Sequence, residues 1–380
     1  MFFGGMWAQT LILGWLVFDL TNSSFLLATF AAIRLAPMLM GPLFGVLSDR
    51  FNRIRFIQIA TAWAFVVVIA LAAFTTAGLI NYWGIVVGGL CIGLAQSPTQ
   101  PSRSSLVLDF VGRRQLSNAN ALNSMALNMT QMIGPALGGL MIGALGAPAA
   151  LWISAGWYLI SLILLWPLRN SDQHRPQQHE PIIGSLLGGI RMVLINRPMA
   201  TILLVTLIAN VMLWPIYQTF MPVVAKDILG LNAGGLGMLV TCGGIGGLAG
   251  SVIIAWMGDF KNKGGVFLFG TALWGSVWVL FSLSRSWPLS YGLMVCIGLA
   301  SAAFGVLQTT LMLMLAPPSA HGRALGILEL AIGIQPLATI GLGVAVQALG
   351  LPHTILFAGL TLVIVVLALA ARTPQLIRYG

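Results

Sequence analysis

The sequence predicts an all-α membrane protein with twelve transmembrane helices in two pseudo-symmetric six-helix bundles. Three observations predict it. Only 7% of the 380 residues are charged and 58% are hydrophobic, whereas a soluble domain carries about 25% charged residues. Such a chain cannot cover a water-facing surface. Apolar runs long enough to cross a bilayer, ~20 residues, recur along its whole length. Short matches at offsets of about 200 residues, at corresponding depths of the two halves, suggest a duplicated unit.

The spans follow in order. The first, 2–20, opens without a basic leader in MFFGGMWAQTLILGWLVF. Span two, 24–47, runs into the charged stretch GVLSDRFNRIR, Gly45 to Arg55. Spans three to six are read at 56–77, 80–107, 119–145 and 148–168. The longest polar stretch, RNSDQHRPQQHEP from Arg169 to Pro181, then divides the chain. After it Ile183, Leu187, Ile190 and Leu194 recur at helical spacing, with Arg191 off the stripe. That pattern predicts a short amphipathic helix on the inner leaflet. Spans seven to twelve are read at 198–222, 233–257, 264–284, 287–315, 323–348 and 351–371. Backbone groups in lipid must be bonded internally, so each span should be helical. The domains expected are thus 1–168, a linker at 169–197, and 198–380.

Lysine and arginine orient the spans. One side carries Arg50, Arg53, Arg55, Arg113, Arg114, Arg169, Arg175, Arg191, Arg197, Lys261, Lys263 and Arg323, with Arg372 and Arg378 in the tail. The opposite loops carry only Lys226 and Arg285. The asymmetry predicts both termini in the cytoplasm. A net charge of +10 brings no basic stripe with interleaved aromatics, so no nucleic acid partner is expected. Cys91, Cys242 and Cys296 lie in apolar runs without metal-site or disulfide spacing.

The halves match at four places. CIGLA occurs at 91–95 and at 296–300, a register that sets Arg103 against Gln308. Asp49 and Asp259 follow spans two and eight. Asn120-Ala-Leu and Arg323-Ala-Leu open spans five and eleven, and Pro135 and Pro336 follow at similar depth. A duplicated unit of this kind places a substrate site near the midplane between the halves.

The stretch GVLSDRFNRIR resembles the loop motif of the major facilitator superfamily, roughly G-x-L-a-D-R-x-G-R-R, between helices two and three. Asn52 replaces its glycine and Ile54 a basic residue; asparagine tolerates the left-handed backbone that the turn needs. GDFKNK at 258–263 is a degenerate echo in the second half. The resemblance implies a cytoplasmic latch of Gly45, Asp49, Arg50 and Arg53. In it Asp49 meets the positive N-terminus of span eleven near Gly322 and Arg323. A solvated, positive-inside loop is the plainer reading of the same residues. TQMIGPALGG, Thr130 to Gly139, resembles the exporter pattern g-x-x-x-G-P-x-x-G-G, with Thr130 at its first glycine. It assigns Gly134, Pro135, Gly138 and Gly139 to an exporter motif; a Gly-rich packing face is the alternative. SPTQPSRSSLV and SNANALNSMALNMTQMIGPALGG also resemble the enterobactin-exporter and macrolide-efflux branch.

The family places helices one, four, seven and ten along the central path, with contributions from two, five, eight and eleven. Polar residues inside them are the substrate and proton candidates, because polar groups in lipid are costly and usually face a cavity. They are Gln9, Gln100, Arg103, Asn123, Asn210, Gln218 and Gln308. Arg34, ten residues into span two, is either an anion contact or a structural pair with Asp19. Glu329, about two turns into span eleven, is either a proton carrier or a partner for Arg103 or the motif cluster. The arginines of spans two and four would favour anionic or neutral substrates.

Other chemistries are not supported. Gly244 to Ala249 fits G-x-G-x-x-A inside an apolar span with no strand before it. His179-Glu180 does not continue to HExxH, and neither a phosphate loop nor G-x-S-x-G occurs. The expectation is a non-enzymatic secondary active exporter of drugs, siderophores or related small metabolites in the bacterial inner membrane. It would be monomeric and without cofactor, driven by the proton gradient. An importer or facilitated diffuser of a small metabolite is the alternative.

Overall fold

The computed structural model describes residues 2–40, 53–167, 182–258, 260–317 and 320–379, with the side chains of 2–3, 39–40, 53, 98, 100–129, 131–132, 182–187 and 322 left out. Regular structure among these residues is helical. Eight helices are long and apolar enough to cross a membrane, and Ser24–Met38 and Tyr82–Ser97 are shorter apolar helices. The chain divides into two compact units. The first is Met1–Gln178 with Leu231–Met238, and the second is His179–Gly230 with Leu239–Gly380.

In the first unit α1 is Phe2–Thr21 and α2 is Ser24–Leu35, extended by a 3-10 turn at Ala36–Met40. Asn22 turns the chain between them at φ 46. Ser23 then caps α2, its side chain accepting from the Leu26 amide at 3.3 Å. Helix α3 is Arg53–Thr76. Asn81 caps α4, accepting from the Gly84 amide at 2.8 Å.

Helix α4 differs from the sequence reading. Helical backbone runs from Tyr82 to Leu165, 84 residues, through 108–118, where a connection was expected. That stretch holds one glycine and no proline, so nothing in it breaks an i→i−4 ladder. A straight helix of this length would reach ~126 Å, about four bilayer cores. It does not stay straight, since Gly93 abuts the Arg34 backbone while Gly134 abuts Trp7 and Gly4. Arg34 in turn reaches the Met6 carbonyl, so both points of the run return to the same level of α1 and α2. A further corner is Gly146 at φ 82, followed by Pro148.

In the second unit α5 is Ile182–Ile195 and α6 is Arg197–Met212, capped by Asn196 with Pro198 in the first turn. Two π-helical turns follow, Ile216–Phe220 and Val224–Ile228. Then come α7, Ala233–Met257, whose start to Met238 groups with the first unit, α8, Lys263–Leu283, and α9, Trp287–Leu315. The expected span eleven is two helices, α10 at His321–Gly333 and α11 at Gln335–Leu349. Pro336 explains the break: it has no amide to donate, and its ring collides with the Ile332 carbonyl. Helices α12, Leu351–Arg372, and α13, Pro374–Ile377, complete the unit.

The amphipathic helix forms where its periodicity placed it. Ile190 and Leu194, on the predicted stripe, are exposed, whereas Gly189 and Val193 are buried. A Cβ on Gly189 would sit 3.0 Å from Ile327 Cγ1. The small face at Gly188 and Gly189 therefore seats on α10, while Ile190 and Leu194 stay exposed.

The tail is tied down. The Gly264 amide donates to the Tyr379 carbonyl at 3.0 Å, and the Tyr379 hydroxyl donates to the Met314 carbonyl at 3.2 Å. Deleting residues 374–380 is expected to destabilise the protein by about 1–3 kcal/mol, from two hydrogen bonds at roughly 1 kcal/mol each plus the burial of Leu376. A thermal melt in detergent reads this, and an unchanged midpoint would contradict it.

Candidate functional site

Each unit holds a polar cluster inside otherwise apolar helices. In the first unit α1 supplies Gln9, α2 supplies Arg34 and α4 supplies Tyr158. All three are buried: Gln9 and Tyr158 have no exposed surface, and Arg34 has 4%. The Tyr158 hydroxyl donates to Gln9 Oε1 at 3.0 Å. Arg34 Nη2 donates to the Met6 carbonyl at the long distance of 3.5 Å. Gln9 Nε2 and Arg34 Nε have no hydrogen-bond partner among the described residues.

The pairing of Arg34 with Asp19 is ruled out. Asp19 is exposed near the far end of α1, thirteen residues from Met6, or ~20 Å along the helix. Tyr158 was not among the sequence candidates. It is a polar-tipped residue within the apolar sixth span, and only the chain's return beside α1 reveals its partner.

In the second unit the candidates form two pairs. Thr206 Oγ1 donates to Gln308 Oε1 at 3.2 Å, and Asn210 Nδ2 donates to the Thr206 carbonyl at 2.9 Å. Asn210 and Gln308 thus meet at one turn of α6, though Asn210 spends a donor on its own helix. Gln218, on the first π-helical turn, accepts from Gln335 Nε2 at 3.1 Å. Gln335 is buried and was also missed; a glutamine beside the span's only proline was its one signal. The π turn, a geometry common at functional sites, also directs Tyr217 toward Gly243, where a Cβ would lie 3.2 Å from the hydroxyl. Trp214 packs on Tyr217 and Trp274 at centroid distances of 5.9 and 6.2 Å, and Trp274 stacks on Phe304 at 5.5 Å.

Gln335→Leu is expected to cost about 1–2 kcal/mol, because it strands the partly buried Gln218 amide. The double change Gln218→Leu/Gln335→Leu should recover most of it. A thermal-melt cycle of the four proteins tests this, and additive losses would show that the two side chains do not act as a pair.

Glu329 is exposed on α10 and has no hydrogen bond or ion pair among the described residues. Arg323 is exposed one and a half turns earlier and passes beside Gly188 of α5. Gly45, Asp49 and Arg50 lie outside the described residues. So do the side chains of Arg53, Gln100, Arg103 and Asn123, so the latch and these contacts are not described.

The glycine motif is a packing device on two faces. A Cβ on Gly134 would be 2.7 Å from Trp7 Cβ, and one on Gly138 would be 2.7 Å from the Ala8 carbonyl oxygen. Both glycines therefore lie against α1 one turn from Gln9. Gly139 and Gly143 turn the other way, onto Gly237 and Gly234 at the start of α7, which groups with this unit. Pro135 is buried between the two faces.

The repeated CIGLA motif does one job twice. A Cβ on Gly93 would strike the Arg34 carbonyl, and one on Gly298 would strike the Gly243 carbonyl. Gly93 thus brings α4 into backbone contact with α2, and Gly298 brings α9 into backbone contact with α7.

Comparison with known proteins bears on the family and the fold. The family model described as "Transmembrane secretion effector" matches residues 3–376. The chain is similar to the multidrug efflux pump Tap of Mycolicibacterium fortuitum, 25% identical over 67% of this chain and 63% of that protein, less than two thirds of its length. It is 21% identical to the staphyloferrin A transporter of Staphylococcus aureus, over 94% of this chain and 90% of that one. It is 26% identical to the enterobactin exporter EntS of Shigella flexneri, over 74% and 67%. Among solved structures, a bacterial homologue of the human lysosomal transporter Spinster has a TM-score of 0.77 at 12% identity, covering 100% of this chain and 96% of that one. A POT family transporter has a TM-score of 0.77 at 13% identity, over 99% and 95%. At such identities these two speak for the fold alone. The chain belongs to the transmembrane secretion effector family of the major facilitator superfamily, a family of membrane transporters and not of enzymes.

Proposed function

We propose that this chain is a proton-coupled secondary active exporter of small molecules, working by alternating access. Twelve spans form two six-helix bundles, 1–168 and 198–380, joined by the 169–197 linker. The protein is a monomer in the bacterial inner membrane with both termini cytoplasmic, and the proton gradient stands in place of any cofactor. Relatives named as an efflux pump and an exporter support the outward direction, and Gly134, Gly138 and Gly139 seat helix α4 closely on two neighbours. Backbone surfaces that meet this closely can part and re-form as units, which is the two-state element alternating access needs. Relatives named for drugs and for siderophores supply the substrate classes to try.

Glu329 is the proton carrier in this reading. It is an acid within an apolar span and without a partner among the described residues, and an intramembrane carboxylate of this kind commonly marks a proton relay. Asp49 and Arg323 form the cytoplasmic latch.

Inside-out vesicles test this. Uptake of a cationic dye, a macrolide and a catecholate siderophore would be followed with and without an uncoupler. At least one compound is expected to enter, and the uncoupler should remove most of that uptake. Glu329→Gln should reduce uncoupler-sensitive uptake about tenfold or more, the low end for losing a general acid–base group, with unchanged protein level. Asp49→Asn should also reduce it. Uptake indifferent to the uncoupler would replace the antiporter with a facilitator.

A further inference from the structure

Arg34 is a buried cation without an anionic partner among the described residues. The whole sequence has eight acids. Of those in the first six spans and their loops, Asp19 lies ~20 Å away along α1. Asp49 follows Arg34 by fifteen residues. Asp109 follows Gly93, the residue seated on the Arg34 backbone, by sixteen residues of helical backbone, about 24 Å. Asp19 lies near the end of α1, whereas Arg34 reaches the Met6 carbonyl near its start.

The neighbours of Arg34 sharpen the point. The Tyr158 hydroxyl donates to Gln9 Oε1, which occupies that oxygen and sets Nε2 as the free end of the amide. Gln9 Nε2 and Arg34 Nε are both buried donors without an acceptor. The bond from Arg34 Nη2 to the Met6 carbonyl, at 3.5 Å, is at the limit of the range. The cluster therefore has a positive charge and a surplus of donors. A guanidinium held only for structure would normally be given a carboxylate, because a buried unpaired charge destabilises its surroundings. Here the missing group is an acceptor of negative charge, and the planar fork of arginine fits a planar oxyanion.

We propose that Arg34, Gln9 and Tyr158 form a subsite for one carboxylate group of a small-molecule substrate. Arg34 supplies the charge and Nε, Gln9 supplies the amide donor, and Tyr158 positions Gln9. The subsite deepens the transport reading above and rests on it for the cluster being reached by substrate. Its closure to solvent in this structure means that an anion enters when α1, α2 and α4 part locally. The second unit has no equivalent cation: on the backbone contact shared by the two CIGLA motifs, Gly243 stands where the first unit has Arg34.

Thermal unfolding of the purified full chain in detergent tests this with matched probes that differ in one charge. The probes are benzoate against benzamide, and 2,3-dihydroxybenzoate against 2,3-dihydroxybenzamide. At least one carboxylate is expected to raise the midpoint of the wild type well above the effect of its amide. Arg34→Met should erase that preference, and Arg34→Lys should keep part of it. Tyr158→Phe should weaken carboxylate binding about tenfold, by freeing the Gln9 amide. Without ligand, Arg34→Met should melt at or above the wild type, since it removes an unpaired charge; a structural arginine would make it melt lower. If Arg34→Met does not accumulate, Tyr158→Phe and Gln9→Leu carry the test, and an unchanged preference in both overturns the subsite. Equal response of the wild type to every acid and its amide also overturns it. Carboxylate preference without uncoupler-sensitive transport would keep the subsite and remove the exporter. Such transport without carboxylate preference would do the reverse.

Discussion

Gly298→Leu is expected to abolish accumulation of folded protein in the membrane. A Cβ there would fall on the Gly243 carbonyl, with the Gly247 amide nitrogen 2.6 Å away. Both obstacles are backbone, so no flexible side-chain end can yield. Overpacking a well-packed core costs about 1–3 kcal/mol and sometimes more; displacing α7 from α9 along this contact belongs at or above the upper end. The same contact is secured from the other side, since a Cβ on Gly246 would strike the Val295 carbonyl. Gly305→Ala and Gly292→Ala, on the same helix with open space around them, should instead stay within about 0.5 kcal/mol of the wild type. Fluorescence-detected gel filtration of the three variants as tagged fusions reads the result. A monodisperse Gly298→Leu peak of normal height would mean that α7 and α9 need not approach so closely.

Gly139→Leu is expected to break a different contact. A Cβ there would land on the Gly237 backbone, and one on Gly143 would be 2.8 Å from Gly234 Cα. A leucine would hold α4 off the start of α7 and disfavour the conformation described here. A penalty of about 3 kcal/mol would shift a two-state equilibrium more than a hundredfold. The readout is a single cysteine at position 234, where a Cβ meets nothing closer than 3.3 Å, with Cys91, Cys242 and Cys296 replaced by serine. Its labelling by a thiol reagent is expected to be slow in that background and to rise at least about tenfold on adding Gly139→Leu, as the contact opens. Export in vesicles should fall with it. Labelling that stays slow while export is lost would assign Gly139 to substrate passage rather than to the contact.

The two changes separate roles that the sequence reading could not. Both glycines lie in apolar runs, and both are small residues in membrane helices. Gly298 meets backbone within the second unit, whereas Gly139 meets Gly237 in the first. Which glycine faces which helix depends on helix rotation, and a uniformly apolar helix has no periodicity from which to read it. The same cause hid Tyr158 and Gln335. Arg34 was visible because an arginine inside an apolar run is costly wherever it faces; its partners were not, because they come from helices distant in sequence. Asp19 was a reasonable partner by proximity along the chain and a wrong one by distance along the helix.

The sequence by itself determined that the chain is helical and membrane-embedded, and it placed the amphipathic helix. Lipid demands length, low charge and internally bonded backbone, and each of these is a local property of the chain. It also held the repeated CIGLA motif and the Gly-Pro motif as signals of close packing. Only the tertiary structure decided that Tyr82–Leu165 is one helical run that turns back on α1 and α2. It alone decided that Tyr158 bonds Gln9 one turn from the Met6 carbonyl that Arg34 reaches, that Gln335 pairs with Gln218, and that Ile190 and Leu194 face outward. These are contacts between helices whose surfaces are alike in hydrophobicity. Hydrophobicity therefore cannot select among them, and shape and a few hydrogen bonds do.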